Sequence, residues 1–283
     1  MVMIYMGKNR ILFVMWMAGM LLLSSCSVKE DRSGCPCWMT VEMPEQVGHD
    51  GGRLDNDDCV VLRLRVNSDE DEVGYSYQVT EAVKPDVGAL EYEVPRGSVG
   101  VSVIGMPDRV GHDGIVGYDG DEIRIPVGEQ MYSLYGFFRM FYTRCESVLC
   151  DVELHKEFCT VSFTLGDEGY SSPYDIEVWG NVAGVSAWDL MPVKGDFRYA
   201  PVQKNGVYQV RVPRQEDNSL EMVMLDDDDI VDSLPLGEYI ARSGYDWTAE
   251  DLADVNVALD LEMQQVMITV SGWDGVVVMD IVI

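Results

Sequence analysis

The sequence predicts an all-β protein made of antiparallel β-sandwiches, and three observations carry that expectation. Apolar residues recur with a period of two along most of the chain. Each run spans 4–8 residues and is bounded by Gly, Pro, Asp or Asn, and no long segment shows a 3.6-residue period. In the first half, Val60, Leu62, Leu64 and Val66 alternate with Val61, Arg63 and Arg65. Leu90, Tyr92 and Val94 alternate with Glu91 and Glu93, and Val99, Val101 and Val103 with small residues. Ile123, Ile125 and Val127 alternate with Arg124 and Pro126. The second half repeats the pattern at Val161, Phe163 and Leu165, at Tyr208, Val210 and Val212, at Val255, Val257, Leu259 and Leu261, and at Val266, Ile268 and Val270. The chain ends in the apolar run Val276 to Ile283.

Strands at this spacing number about 14–16, more than one small sandwich holds, so two in tandem are expected. The stretch from Glu129 to Cys145 is strand-poor and aromatic, with Tyr132, Tyr135, Phe137, Phe138, Phe141 and Tyr142. The boundary is placed just after it, giving an N-terminal sandwich over 37–150 and a C-terminal one over 151–283. Packing is the simplest role for those rings, and a carbohydrate-stacking platform is the sharper alternative. The clearest helical turn is Thr248 to Ala253, where Thr248 can cap and Asp251 favours the positive N-terminus.

Residues 1–25 have the parts of an export signal: Lys8 and Arg10, the unbroken apolar stretch Ile11 to Leu23, then Ser24 and Ser25 before Cys26. Thirteen apolar residues are too few for a membrane-spanning helix, which needs about 20, but suit the removable core of a signal peptide. The ending Leu23-Ser24-Ser25-Cys26 resembles the site cut by lipoprotein signal peptidase. Lipidation is therefore expected at Cys26, with 26–36 as a lipidated tether. Two or more acyl chains are needed for stable attachment, which a diacylglyceryl cysteine supplies.

Without Lys8 and Arg10 the chain carries 18 basic against 49 acidic residues, a formal charge of −31. So acidic a surface repels nucleic acid and anionic headgroups, which leaves the lipid as the tether and argues against a nucleic-acid partner. After Cys26 come Cys35, Cys37, Cys59, Cys145, Cys150 and Cys159. An exported chain can join them as disulfides, but six cysteines allow 15 full pairings and sequence does not choose among them. Cys145 and Cys150 are spaced to staple a short loop, and Cys159 lies in a strand-like run that suits a buried thiol.

No pattern points to catalysis or to a cofactor. His49 and His112 sit in Gly/Asp-rich segments, His155 in a strand-like run, and none falls at zinc-ligand spacing with the cysteines. Neither a G-x-S-x-G elbow nor an H-E-x-x-H or phosphate-loop pattern is present. Asp226 to Asp229 lies between the strand-like runs Leu220 to Leu225 and Leu236 to Ile240. It reads as a solvated loop, with calcium as the alternative.

Several motifs then converge. Cys26-Ser27-Val28-Lys29-Glu30-Asp31-Arg32-Ser33-Gly34-Cys35-Pro36 opens the mature chain. Leu236-Gly237-Glu238-Tyr239-Ile240 and Gly244-Tyr245-Asp246-Trp247 follow far downstream, and Val270-Ser271-Gly272-Trp273 near the end. In this order they resemble the FimB-type fimbrial anchor lipoproteins of Bacteroidetes, within the wider fimbrillin-like group. The resemblance implies two tandem transthyretin-like sandwiches and an outward-facing outer-membrane lipoprotein, with Lys29-Glu30-Asp31 similar to a surface-export signal. It implies a place at the base of a fimbrium, holding stalk or accessory subunits and limiting polymer length. Stalk relatives are cut after an arginine. Here a cut after Arg32 would part the protein from its lipid, as would one after Arg53 unless Cys35 or Cys37 were disulfide-bonded to the core. Retention of the segment is therefore expected. Subunit contact would be β-strand addition. Val276 to Ile283 is either a donated strand or, more simply, the last strand of its own sandwich. A surface glycan-binding lipoprotein or an adhesin is the alternative function.

Overall fold

The computed structural model describes residues 36–43, 60–67, 75–84, 87–107, 110–111, 114–115, 118–119, 121–166, 172–260, 265–272 and 275–280. The expected signal peptide, Cys26, Cys35, Cys59, His49, His112, Arg32 and Arg53 lie outside the described residues.

The chain opens with β1 (Cys37–Glu42), β2 (Val60–Asn67), β3 (Tyr75–Val83), β4 (Ala89–Val94) and β5 (Ser98–Gly105). Short strands β6 (Val110–Gly111), β7 (Gly114–Ile115), β8 (Tyr118–Asp119) and β9 (Glu122–Arg124) follow. Next come β10 (Tyr135–Tyr142), β11 (Ser147–Asp151), β12 (His155–Lys156), β13 (Phe158–Leu165), β14 (Asp175–Ser186) and β15 (Pro192–Tyr199). The rest is β16 (Tyr208–Pro213), β17 (Glu221–Asp226), β18 (Asp229–Leu234), helix α1 (Leu236–Arg242), β19 (Val255–Asp260), β20 (Gln265–Val270) and β21 (Val277–Asp280). The all-β expectation holds. No helix among the described residues is long and apolar enough to cross a membrane.

Four sheets enclose two hydrophobic cores. The first core lies between the sheet β11-β1-β4 and the sheet β12-β10-β5-β2-β3. The period of two is the cause: Met39 and Val41 from one sheet meet Leu62, Leu64, Val101 and Val103 from the other, all fully buried. The second core lies between β16-β13-β19-β20-β21 and β18-β17-β14-β9-β8, with β15 added to β14. Val161, Phe163, Val210, Val257 and Ile268 fill it from one sheet, and Val178, Val185, Met222 and Ile123 from the other. Alternation does not encode strand direction, and two pairs are parallel, β1 with β11 and β13 with β19.

Strand pairing crosses residue 150 in both directions. β9 precedes it but pairs with β14, and Met131 and Leu134 pack in the second core. β12 follows it but pairs with β10. The two cores are thus tied by several passages of the chain.

Two local expectations change. Leu236 to Ile240 is the start of α1, not a strand. Leu236, Tyr239 and Ile240 are buried at i, i+3 and i+4, and Pro235 sits at the N-cap, where its missing N–H costs nothing. A Cβ on Gly237 would lie 2.6 Å from the Asn218 carbonyl oxygen, so only glycine lets the helix approach that loop. Thr248 to Ala253 is a series of turns, not a helix. Asp246, rather than Thr248, supplies the capping group, accepting the Thr248 N–H at 2.8 Å and its hydroxyl at 2.6 Å. Asp251 turns away to β12.

Candidate functional site

The seam between the two cores carries a dense set of ion pairs, ring contacts and hydrogen bonds among the described residues. Alternation assigns Arg63 and Arg65 of β2 to the solvent face, yet both are buried. Asp121, in the turn between β8 and β9, takes both guanidiniums, at 3.2 Å from Arg63 and more closely from Arg65. The Arg65 hydrogen bond is the chief cause that holds the Asp121 carboxyl below the usual carboxylate range. Next to this pair the turn 187–190, which follows β14, presses on the outer face of β5 and β10. Trp188 stacks edge-on against Phe138 at 5.4 Å, and the Arg65 guanidinium lies 4.9 Å from its ring centre. A Cβ on Gly100 would stand 2.3 Å from the Trp188 ring, so glycine makes the groove that receives it. The buried Ser102 hydroxyl donates to the Ala187 carbonyl at 3.0 Å. Leu190 adopts φ 61° and covers Gly136. A bulky residue in the left-handed region persists only where its surroundings impose it.

A second cluster closes the other side of the seam, above a cleft of roughly 300 Å³. Glu157 is buried and paired with Arg214 at 3.0 Å. Burial pushes its carboxyl up, and the guanidinium opposes that shift. Arg214 also donates to the Ala249 carbonyl at 2.8 Å and to that of Trp247. Asp251 accepts the Lys156 backbone N–H at 2.8 Å and meets His155 Nδ1 at 3.2 Å. Asp254 accepts from Lys156 Nζ at 2.6 Å and from the Thr160 N–H at 2.8 Å. These groups are engaged with each other and with the backbone, so the cluster works as a clamp on the loop 246–254.

The other sequence candidates are dispersed. Tyr132 and Phe137 are buried, Tyr135 packs edge-on to Phe158 and Phe138 to Trp188, while Tyr142 is exposed. The aromatic run therefore divides between packing and solvent and forms no flat platform. Asp226 to Asp229 makes the tight turn of the β17–β18 hairpin, with Asp227 at φ 56°. Among the described residues no three His, Cys, Asp or Glu side chains are grouped to hold a metal. Cys37, Cys145, Cys150 and Cys159 carry free thiols. Cys150 lies in the first core and Cys159 in the second, and burial pushes both up to about 12. Cys145 is exposed and touches Cys37, not Cys150.

Exposed apolar residues are scattered over the described surface, from Trp38 on β1 and Tyr142 on β10 to Val127 and Val202 in connections, and some of them lie on edge strands. β18 exposes Ile230 and Val231, and β21 exposes Val278. β21 pairs antiparallel with β20 and buries Met279, so residues 277–280 belong to their own sheet. Ile281 to Ile283 lie outside the described residues. β18 and β21 each end a sheet and offer main-chain groups along one side among the described residues.

No family model matches the chain, and no curated protein matches it by sequence. Solved structures do share its fold. A candidate polysaccharide-binding protein of Bacteroides thetaiotaomicron superposes with a TM-score of 0.56 at 12% identity, covering 87% of this chain and 98% of its own. The fimbrial anchor protein Mfa2 of Porphyromonas gingivalis gives 0.54 at 11% identity, over 84% and 98%. A candidate adhesin of Bacteroides ovatus gives 0.50 at 15% identity, over 89% and 97%. At such identities the likeness is one of fold, spanning nearly the whole of each of these proteins.

Proposed function

We propose that this chain is an outer-membrane lipoprotein of the FimB type that fastens a fimbrium to the cell surface, contacts stalk or accessory subunits through β-strand edges, and limits fimbrial length. One conjunction carries the proposal. A chain whose N-terminus reads as a lipoprotein signal ending at Cys26 shares its fold, over 84% of its length, with a fimbrial anchor protein. The physical design agrees with that role. An anchor transmits force from a tether at one end of the chain to a polymer elsewhere. Two cores joined by the ion pairs of buried Arg63 and Arg65 with the half-exposed Asp121, by an inserted Trp and by an imposed Leu turn suit that task better than a flexible linker. The margins β18 and β21 end their sheets among the described residues and carry apolar side chains beside their main-chain groups, the requirements for strand addition. Both edges mix exposed apolar and acidic side chains, Ile230 and Val231 with Asp229 and Asp232 on β18 and Val278 with Asp280 on β21, so the charges discourage indiscriminate pairing at either.

Deleting the gene tests this reading. Fimbriae shed into the medium, and longer than normal, are expected; fimbriae that stay attached at normal length contradict it.

A glycan-binding role is the second reading, favoured by one observation. A cavity of roughly 430 Å³ is lined by Gln130, Tyr199, Lys204 and Gln209, a mix of ring and hydrogen-bonding groups that suits a sugar. Binding of the purified protein to a glycan array, abolished by Tyr199→Ala, would support it over the anchor.

A further inference from the structure

The N-terminal edge of the first sandwich holds two cysteines that strand register brings together. β1 and β11 run parallel with Trp38 opposite Ser147, and the Trp38 N–H donates to the Glu146 carbonyl at 2.9 Å. Cys37 directly precedes that anchored residue, and Cys145 directly precedes Glu146. The Cys145 thiol neighbours that of Cys37 and adds to the burial that holds it up, with Cys37 Sγ 3.7 Å from the Trp38 carbonyl and Cys145 Sγ 3.2 Å from that of Ser147. Arg96 reaches the same corner and donates to the Arg144 carbonyl at 2.7 Å. Elsewhere in the described residues the thiols are isolated, Cys150 and Cys159 being sealed in separate cores.

We propose that Cys37 and Cys145 form a redox pair that closes to a disulfide, stapling the first strand of the sandwich to the segment leading into β11. The oxidant is an external disulfide, either of a protein thiol oxidase or of glutathione. The exposed Cys145 loses its proton and attacks one sulfur of that disulfide, expelling a thiolate and forming a mixed disulfide. Cys37 loses its proton and attacks Cys145 Sγ, expelling the second thiolate. The pair gives up two electrons and two protons, and the oxidant's disulfide becomes two thiols. Cys145 acts first because it faces solvent, while burial and the neighbouring sulfur hold the Cys37 thiol up. Under the anchor reading, on which this consequence rests, the bond has a mechanical use. β1 is the first described strand after the tether, so tension on the lipid would peel it from its sheet, and the staple passes that tension to β11.

The test uses the full mature chain, purified reduced, exposed to oxidised glutathione, alkylated and mapped by non-reducing digestion with fragment sequencing. The expected result is Cys37 joined to Cys145, with Cys150 and Cys159 unmodified in the native state. Closing a loop of about 100 residues is expected to raise the Tm by about 10 °C, a shift absent from Cys145→Ser. Cys37 and Cys145 both recovered as free thiols, Cys145 left carrying glutathione, or Cys145 joined to another cysteine would each overturn the proposal. The assay needs no assumption about export, so its failure and the failure of the anchor reading are distinct results.

Discussion

Glu157 is pulled two ways, by burial that favours its protonated form and by Arg214 that favours its charge. Burial is the larger cause, so its folded-state pKa lies above the ordinary 4.5 and the folded state holds the proton more tightly. Its stabilising contribution is complete below pH 4.5 and is lost as pH rises through the raised value. The wild type is therefore expected to lose stability relative to Glu157→Gln as pH climbs from 4.5 toward neutrality, read by urea unfolding across that range. A constant difference would contradict the burial of this carboxylate. Asp121 has the opposite sign: Arg65 lowers its pKa, so its contribution is present above about pH 3.8 and fades below it. Because Asp121 is half exposed, Asp121→Asn is expected to cost only about 1–2 kcal/mol at pH 7, and little at pH 3. These residues were poorly legible in the sequence. The alternation of β2 correctly assigned Val60, Leu62 and Leu64 to the core, but it placed Arg63 and Arg65 in water because nothing local announces that a second body covers the other face. A faint signal was present next door, where Ser98, Gly100 and Ser102 make the outer face of β5 small enough to receive a ring.

At the scale of elements, most strands were legible because a period of two survives in any half-buried sheet. α1 was not, since Leu236-Gly237-Glu238-Tyr239-Ile240 is too short to display a helical period, and its helicity comes from packing three apolar residues and from the stop at Pro235. Gly237 separates intrinsic preference from tertiary contact. Helix propensity alone would make Gly237→Ala stabilising by up to about 1 kcal/mol. The Asn218 backbone leaves no room for the new methyl, so a loss of about 1–3 kcal/mol is expected in denaturant titration. Strand direction was likewise hidden. The parallel pairing of β1 with β11 depends on where the chain returns, and side-chain alternation is the same for either orientation.

At the scale of the whole molecule, the inserted turn 187–190 joins the two cores by fitting Trp188 over Gly100 and Leu190 over Gly136. Trp188→Ala removes the ring that Arg65 and Phe138 contact and is expected to cost about 3 kcal/mol. The two cores should then unfold as separate transitions in calorimetry where the wild type gives one; a single, merely shifted transition would mean that the remaining seam suffices. The all-β class was legible from the strands. Their interleaving was not, because β9 and β12 are too short to reveal from sequence which sheet they join. The proposed function belongs to this scale as well, in the relation between the lipid expected on Cys26 and a two-core body whose β18 and β21 end their sheets among the described residues. The most direct measurement replaces Cys26 with Ala in the chromosomal gene and follows both this protein and the fimbriae into cells and medium. Release of the two together is expected of an anchor, and fimbriae that remain on the cell while the unlipidated protein is released would contradict it.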